Sequence, residues 1–143
     1  MSEIWLKEIN KEARAILKEW CGNRFLWKDL PPVYLANTEE GRRAYYRETG
    51  EPAVVMAGLG FEYGNNETHN GKHFIFLNSI LVSNYLVGDT LSTIIHEILH
   101  ILDPNSSEQA ICDMETEICR QYKIDRENVL DEWLAWSKIE EVK

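Results

Sequence analysis

The run His96-Glu97-Ile98-Leu99-His100, set among regularly spaced apolar residues, constrains this chain more than any other feature of it. Leu91, Ile94, Ile95, Ile98, Leu99 and Leu102 recur at helical spacing and predict an amphipathic helix over 90–102. Asp89 or Thr90 can cap it, and Asp103-Pro104 stops it. Residues four apart on a helix stand one turn apart on the same face. His96 and His100 therefore present two imidazoles to one point, as two ligands of a zinc ion at ~2.0–2.1 Å would. Glu97 is turned about 100° round the helix, placed to act on a water as general base rather than to ligate the ion. Histidines left unpartnered on a half-buried stripe would be costly, so a metal site is the expectation, with ordinary hydrogen-bonded histidines as the alternative.

A catalytic zinc takes a third protein ligand. No histidine follows His100, and Asp103 and Ser106 stand where the metzincin extension would place Gly and then His or Asp. A carboxylate from the next helix is expected instead. That helix is predicted over about 107–122, with Ser106 and Gln109 at capping-box spacing and Ile111, Met114, Ile118 and Tyr122 as its apolar stripe. Its candidate ligands are Glu108, Asp113, Glu115 and Glu117. An antiparallel return at 1.5 Å per residue comes level with His100 near residue 110 and with His96 near residue 114. Glu115, on the Ile111–Ile118 side, is the first choice. Glu108 is the second, with a helix-dipole role as its alternative. Asp113 and Glu117 share an outward face.

The rest of the chain reads as one α+β domain, for which 143 residues and 44% hydrophobic content suffice. Ile4, Trp5, Ile9, Ala13, Ile16, Leu17 and Trp20 predict a helix over 3–20. Strands are expected at 33–36, 53–57 and 73–78, a short helix between Thr38 and Gly50, and a loop or hairpin turn at 64–71. A last helix over roughly 126–140 would carry Trp133 and Trp136 inward. The expected architecture is a short, mostly antiparallel sheet of about three strands, packed on the His96 helix and the following glutamate-bearing helix, with helices at both termini.

Charge and cysteines narrow the partners. A formal charge of −9 disfavours nucleic acid and anionic membranes. No apolar run reaches the ~18 residues of a membrane span, and the N-terminus is too charged for a signal peptide. Cys21, Cys112 and Cys119 make an odd count, which points to a reducing, cytoplasmic setting. Cys112 and Cys119 would lie ~10 Å apart on one helix, beyond bridging distance.

His96-Glu97-Ile98-Leu99-His100, followed on the next helix by Glu115-Thr116-Glu117-Ile118, resembles the gluzincin zinc metallopeptidases, and the short chain is similar to their minimal soluble members, the minigluzincins, and to small phage or prokaryotic metallopeptidase-like domains. The resemblance covers about residues 73–122. It implies a single zincin-like domain over 1–143, a Zn2+ cofactor, a peptide or protein substrate and Glu115 as the ligand glutamate. Cys119 stands where many members have Asp or Ala. The resemblance further implies an edge strand that pairs with substrate. Strand 73–78 is the candidate, and a central core position is its alternative. His69, His73, Tyr85 and Tyr122 are available to stabilise an oxyanion, each with an ordinary structural role as the alternative. The leading function is peptide hydrolysis through a zinc-activated water with Glu97 as base. The alternatives are a non-catalytic zinc-binding regulatory or interaction module on the same scaffold, and another zinc hydrolase such as an amidase.

Overall fold

The computed structural model describes residues 2–22, 31–36, 38–50, 64–69, 71–78 and 86–126. Their elements are α1 (Ser2–Cys21), β1 (Val33–Ala36), α2 (Glu39–Thr49), β2 (Gly64–His69), β3 (Lys72–Asn78), α3 (Val87–Leu102) and α4 (Glu108–Gln121). The expected strand 53–57 lies outside the described residues. So do the expected last helix beyond Arg126, with Trp133 and Trp136, Tyr85, and the side chains of Ile4, Trp5 and His69.

The sheet corrects the expected architecture. Its order is β1-β3-β2, with β1 parallel to β3 and β2 antiparallel to β3, so it is mixed rather than mostly antiparallel. Connection length explains the difference. Only two positions separate β2 from β3, one of them Gly71 in a left-handed turn conformation (φ 79°), a connection too short for anything but an antiparallel pair. β1 is separated from both by α2 and a long stretch of chain, which leaves room for a parallel pairing. Residues 64–69, expected as loop or turn, form β2. Gly64-Asn65-Asn66-Glu67-Thr68-His69 has little strand preference of its own, and the ladder to β3 overrides it.

Strand β3 is the central strand, paired on both sides, so it is not the sheet edge. Its side chains alternate between two apolar clusters. Ile75 and Leu77 join α1, α3 and α4 through Ile9, Ala13, Leu17, Ile94, Ile98 and Ile111. Phe74 and Phe76 pack on the opposite face against Tyr45 of α2 and the half-buried Tyr34. The Tyr45 and Phe76 rings meet edge-on at 5.3 Å.

Helix α3 runs through the main core, with every residue from Asp89 to Leu99 buried. It begins at Val87, three residues before the expected start, and neither Asp89 nor Thr90 caps it. The Thr90 hydroxyl donates back to the Leu86 carbonyl at 2.6 Å, and the Thr93 hydroxyl to that of Asp89 at 2.7 Å. Helix α4 is capped by Ser107, whose hydroxyl accepts from the Ala110 N–H at 3.1 Å. The residues expected to form a capping box are engaged elsewhere: Ser106 donates to Asp103, and Gln109 to Asp113. None of the three cysteines forms a disulfide. Among the described residues no helix is long and apolar enough to cross a membrane.

Candidate metal centre

The middle of α3 places His96 and His100 one turn apart, beside the first turn of α4. Ser107 starts α4 only five residues after α3 ends, so Glu108 emerges close to the end of α3. Its side chain, tilted towards its own helix N-terminus, reaches back over the histidines. His96 Nε2 lies 2.8 Å from Glu108 Oε1, and His100 Nε2 lies 2.7 Å from Glu108 Oε2. The two Nε2 atoms are 3.1 Å apart, with their rings edge to face. His96, His100 and Glu108 thus offer one ligand atom each, all within 4.8 Å of one another.

These separations fit a small cation. Ligands ~2.0–2.1 Å from a tetrahedral ion lie about 3.3 Å from each other, so three donors at hydrogen-bond distance need to spread by only a few tenths of an ångström. The donor set, two imidazoles and a carboxylate, suits zinc. The trio grades from inside to outside, with side chains 9% exposed at His96, 23% at His100 and 61% at Glu108. The site therefore opens to solvent past Glu108.

Glu115 is brought to the same cluster by a different route. Its Oε1 lies 2.6 Å from His96 Nδ1, the ring nitrogen opposite the one that faces Glu108. A carboxylate only accepts, so Nδ1 carries the proton and Nε2 is the nitrogen aimed at Glu108 and His100. The other Glu115 oxygen accepts from Arg126 Nη1 at 3.1 Å. Of the two carboxylates ranked from sequence, Glu108 joins the convergent trio, and Glu115 orients one of its histidines. Metal-bound histidines commonly have such a partner at the second nitrogen. Burial alone would disfavour the imidazolium of His96, but the hydrogen bond and charge of Glu115, with the charges of Glu97 and Glu108, outweigh it and push its pKa up to about 9.

Glu97 points from α3 towards β2. It is buried, and Asn66 Nδ2 donates to its Oε1 at 2.7 Å. The close approach of the strand depends on Gly64, where an added Cβ would lie 2.6 Å from Thr93 Cγ2 and 3.5 Å from Glu97 Cγ. Asn66 and Arg126 are the site residues that sequence reasoning missed. Asn66 lay in a stretch whose polar composition reads as loop, and Arg126 in a stretch with no motif.

The remaining candidates stand apart. His73 is exposed on β3, its Nδ1 2.9 Å from the Thr68 hydroxyl. The Tyr122 hydroxyl donates to Glu19 of α1. Asp113 and Glu117 are exposed. Comparison with known proteins returns no match: no family model, no curated protein and no solved structure.

Proposed function

We propose that the chain is a zinc-dependent peptidase, with His96, His100 and Glu108 as the metal ligands and Glu97 as the general base. The observation that carries this reading is the convergence of both Nε2 atoms on one carboxylate, with a buried glutamate on the adjoining face of the same helix. A zinc ion bound there supplies Lewis acidity at the scissile carbonyl and makes a nearby water more acidic. Glu97 takes a proton from that water as its oxygen attacks the carbonyl carbon, then delivers the proton to the departing amine as the C–N bond breaks. Asn66 holds the Glu97 carboxylate in one orientation. Glu115 fixes the His96 ring with Nε2 towards the ion. An extended peptide would add along β2, the outer strand next to Glu97 among the described residues, since strand addition uses backbone groups of an exposed edge. A peptide or protein substrate, a cytoplasmic setting and no nucleic-acid or membrane partner complete the reading, on the strength of the −9 charge and three cysteines outside any disulfide.

The test is turnover of a mixed peptide library by the zinc-loaded wild type and by Glu97→Gln. Zinc-dependent cleavage that falls by ~10²–10⁴-fold in the variant supports the peptidase. Folded, zinc-loaded wild-type protein that cleaves nothing would leave a zinc-binding module without peptidase activity.

A further inference from the structure

We infer that residues 122–126 form a clamp that completes the metal centre from outside, with Arg126 as a positioning residue for His96 acting through Glu115. The inference rests on the metal reading above but concerns residues that reach no ligand atom of it.

The chain reverses sharply after α4. Tyr122 N–H bonds the Ile118 carbonyl at 2.9 Å, Lys123 takes a left-handed conformation (φ 54°), and Ile124 N–H returns to the Cys119 carbonyl at 2.8 Å. Ile124 then packs, half-buried, against the main core. The next residue, Asp125, lies over the first turn of α3 at Gly88, where an added Cβ would sit 1.5 Å from the Asp125 carbonyl oxygen and 2.6 Å from its carbon. Only a residue without a side chain admits the backbone there. This seat delivers Arg126 to Glu115.

The Arg126–Glu115 contact is partly withdrawn from solvent, with side chains 21% and 13% exposed. Glu115 is thereby gripped at both oxygens, by Arg126 on one and His96 Nδ1–H on the other. A carboxylate held at both ends has one orientation, and so does the imidazole that donates to it. Arg126 therefore selects the His96 ring position that turns Nε2 towards Glu108 and His100. Without it, Glu115 is free to rotate towards solvent and the ring loses its brace.

Zinc affinity, read by competition with a chromophoric chelator on the full-length protein, tests this. Outer partners of metal-bound histidines typically contribute ~10–100-fold in affinity, so Arg126→Ala should weaken zinc binding by at least about tenfold. Arg126→Lys, which keeps the charge but not the planar fork, should recover part of the loss. Gly88→Ala, remote from every ligand, should weaken binding in the same direction by unseating Asp125. The Gly88→Ala/Arg126→Ala double variant should then be no worse than the poorer single one, because both break the same clamp. An exposed control, Arg43→Ala, should leave affinity unchanged. Wild-type zinc binding with Arg126→Ala and Gly88→Ala both within about twofold of it would overturn the clamp while leaving the metal reading intact. Failure of the wild type to bind zinc would instead remove the metal reading. The clamp is then judged by NMR on the hydrogen-bonded His96 Nδ1 proton: its displacement or loss in Arg126→Ala, with the fold preserved, supports the clamp, and an unmoved resonance overturns it.

Discussion

On the side of α3 that faces α4, His96 and His100 meet Glu108 and Glu115, with Arg126 behind. On the side that faces β2, Glu97 meets Asn66, near Gly64, where an added Cβ would touch it. Both faces carry buried titratable groups on the same two turns of one helix, but their partners differ in kind. Towards α4 the imidazoles converge on acceptor carboxylates, a donor set that would suit a cation. Towards β2 a carboxylate is steadied by a neutral amide, the Asn66 side chain. Helical periodicity produces this division, since neighbouring residues point about 100° apart. In the proposed function, metal holding and proton transfer fall on these two faces, a single step apart in sequence.

That separation is open to attack from each side. The largest effect is expected from removing the imidazoles. His96→Ala with His100→Ala should abolish stoichiometric zinc binding, seen in chelator competition, because two of three protein ligands disappear. Next in size, Glu97→Gln should lower peptide turnover by ~10²–10⁴-fold while leaving zinc affinity near the wild-type value. Parallel loss of zinc would show that the two faces are not independent. The two carboxylates towards α4 should then separate from each other. Glu108→Ala deletes a ligand and should weaken zinc binding more than Glu115→Ala, which deletes an outer partner worth ~10–100-fold. The reverse order would return Glu115 to the metal and move Glu108 to a helix-terminus role. The smallest change belongs to Asn66→Ala, which should lower kcat by roughly 2–10-fold, the scale of one net hydrogen bond, with zinc content unchanged.

What the sequence made legible follows the range of the interaction involved. Helices α1 and α3 are encoded locally: Ile9, Ala13, Ile16 and Leu17, and likewise Leu91, Ile94, Ile95, Ile98 and Leu99, announce their buried faces by spacing, and the structure buries them. The juxtaposition of His96 and His100 follows from the same periodicity. The choice between Glu108 and Glu115 does not, because it depends on which ring nitrogen faces α4 as well as on height along the helix. Matching heights makes Glu115 the first choice, but Glu115 meets His96 at Nδ1, whereas the long side chain of Glu108, the second choice, reaches both Nε2 atoms from the first turn of α4. Strand β2 was hidden because its order comes from pairing with β3 rather than from its own polar residues. The parallel pairing of β1 with β3 was hidden for a related reason, since strand direction is set by connections far longer than any local pattern. Gly64 and Gly88 carry no motif, and their importance emerges only where another backbone or side chain occupies the space of the missing Cβ.

The most direct test of the account is the zinc content of the full-length protein, measured by elemental analysis after zinc loading and removal of excess metal, for the wild type and for Glu97→Gln together. The account predicts about one zinc per chain in both, held by His96, His100 and Glu108 and indifferent to the residue on the β2 side. A folded wild type that retains no zinc, or a Glu97→Gln variant that loses it, would contradict the division of labour between the two faces of α3.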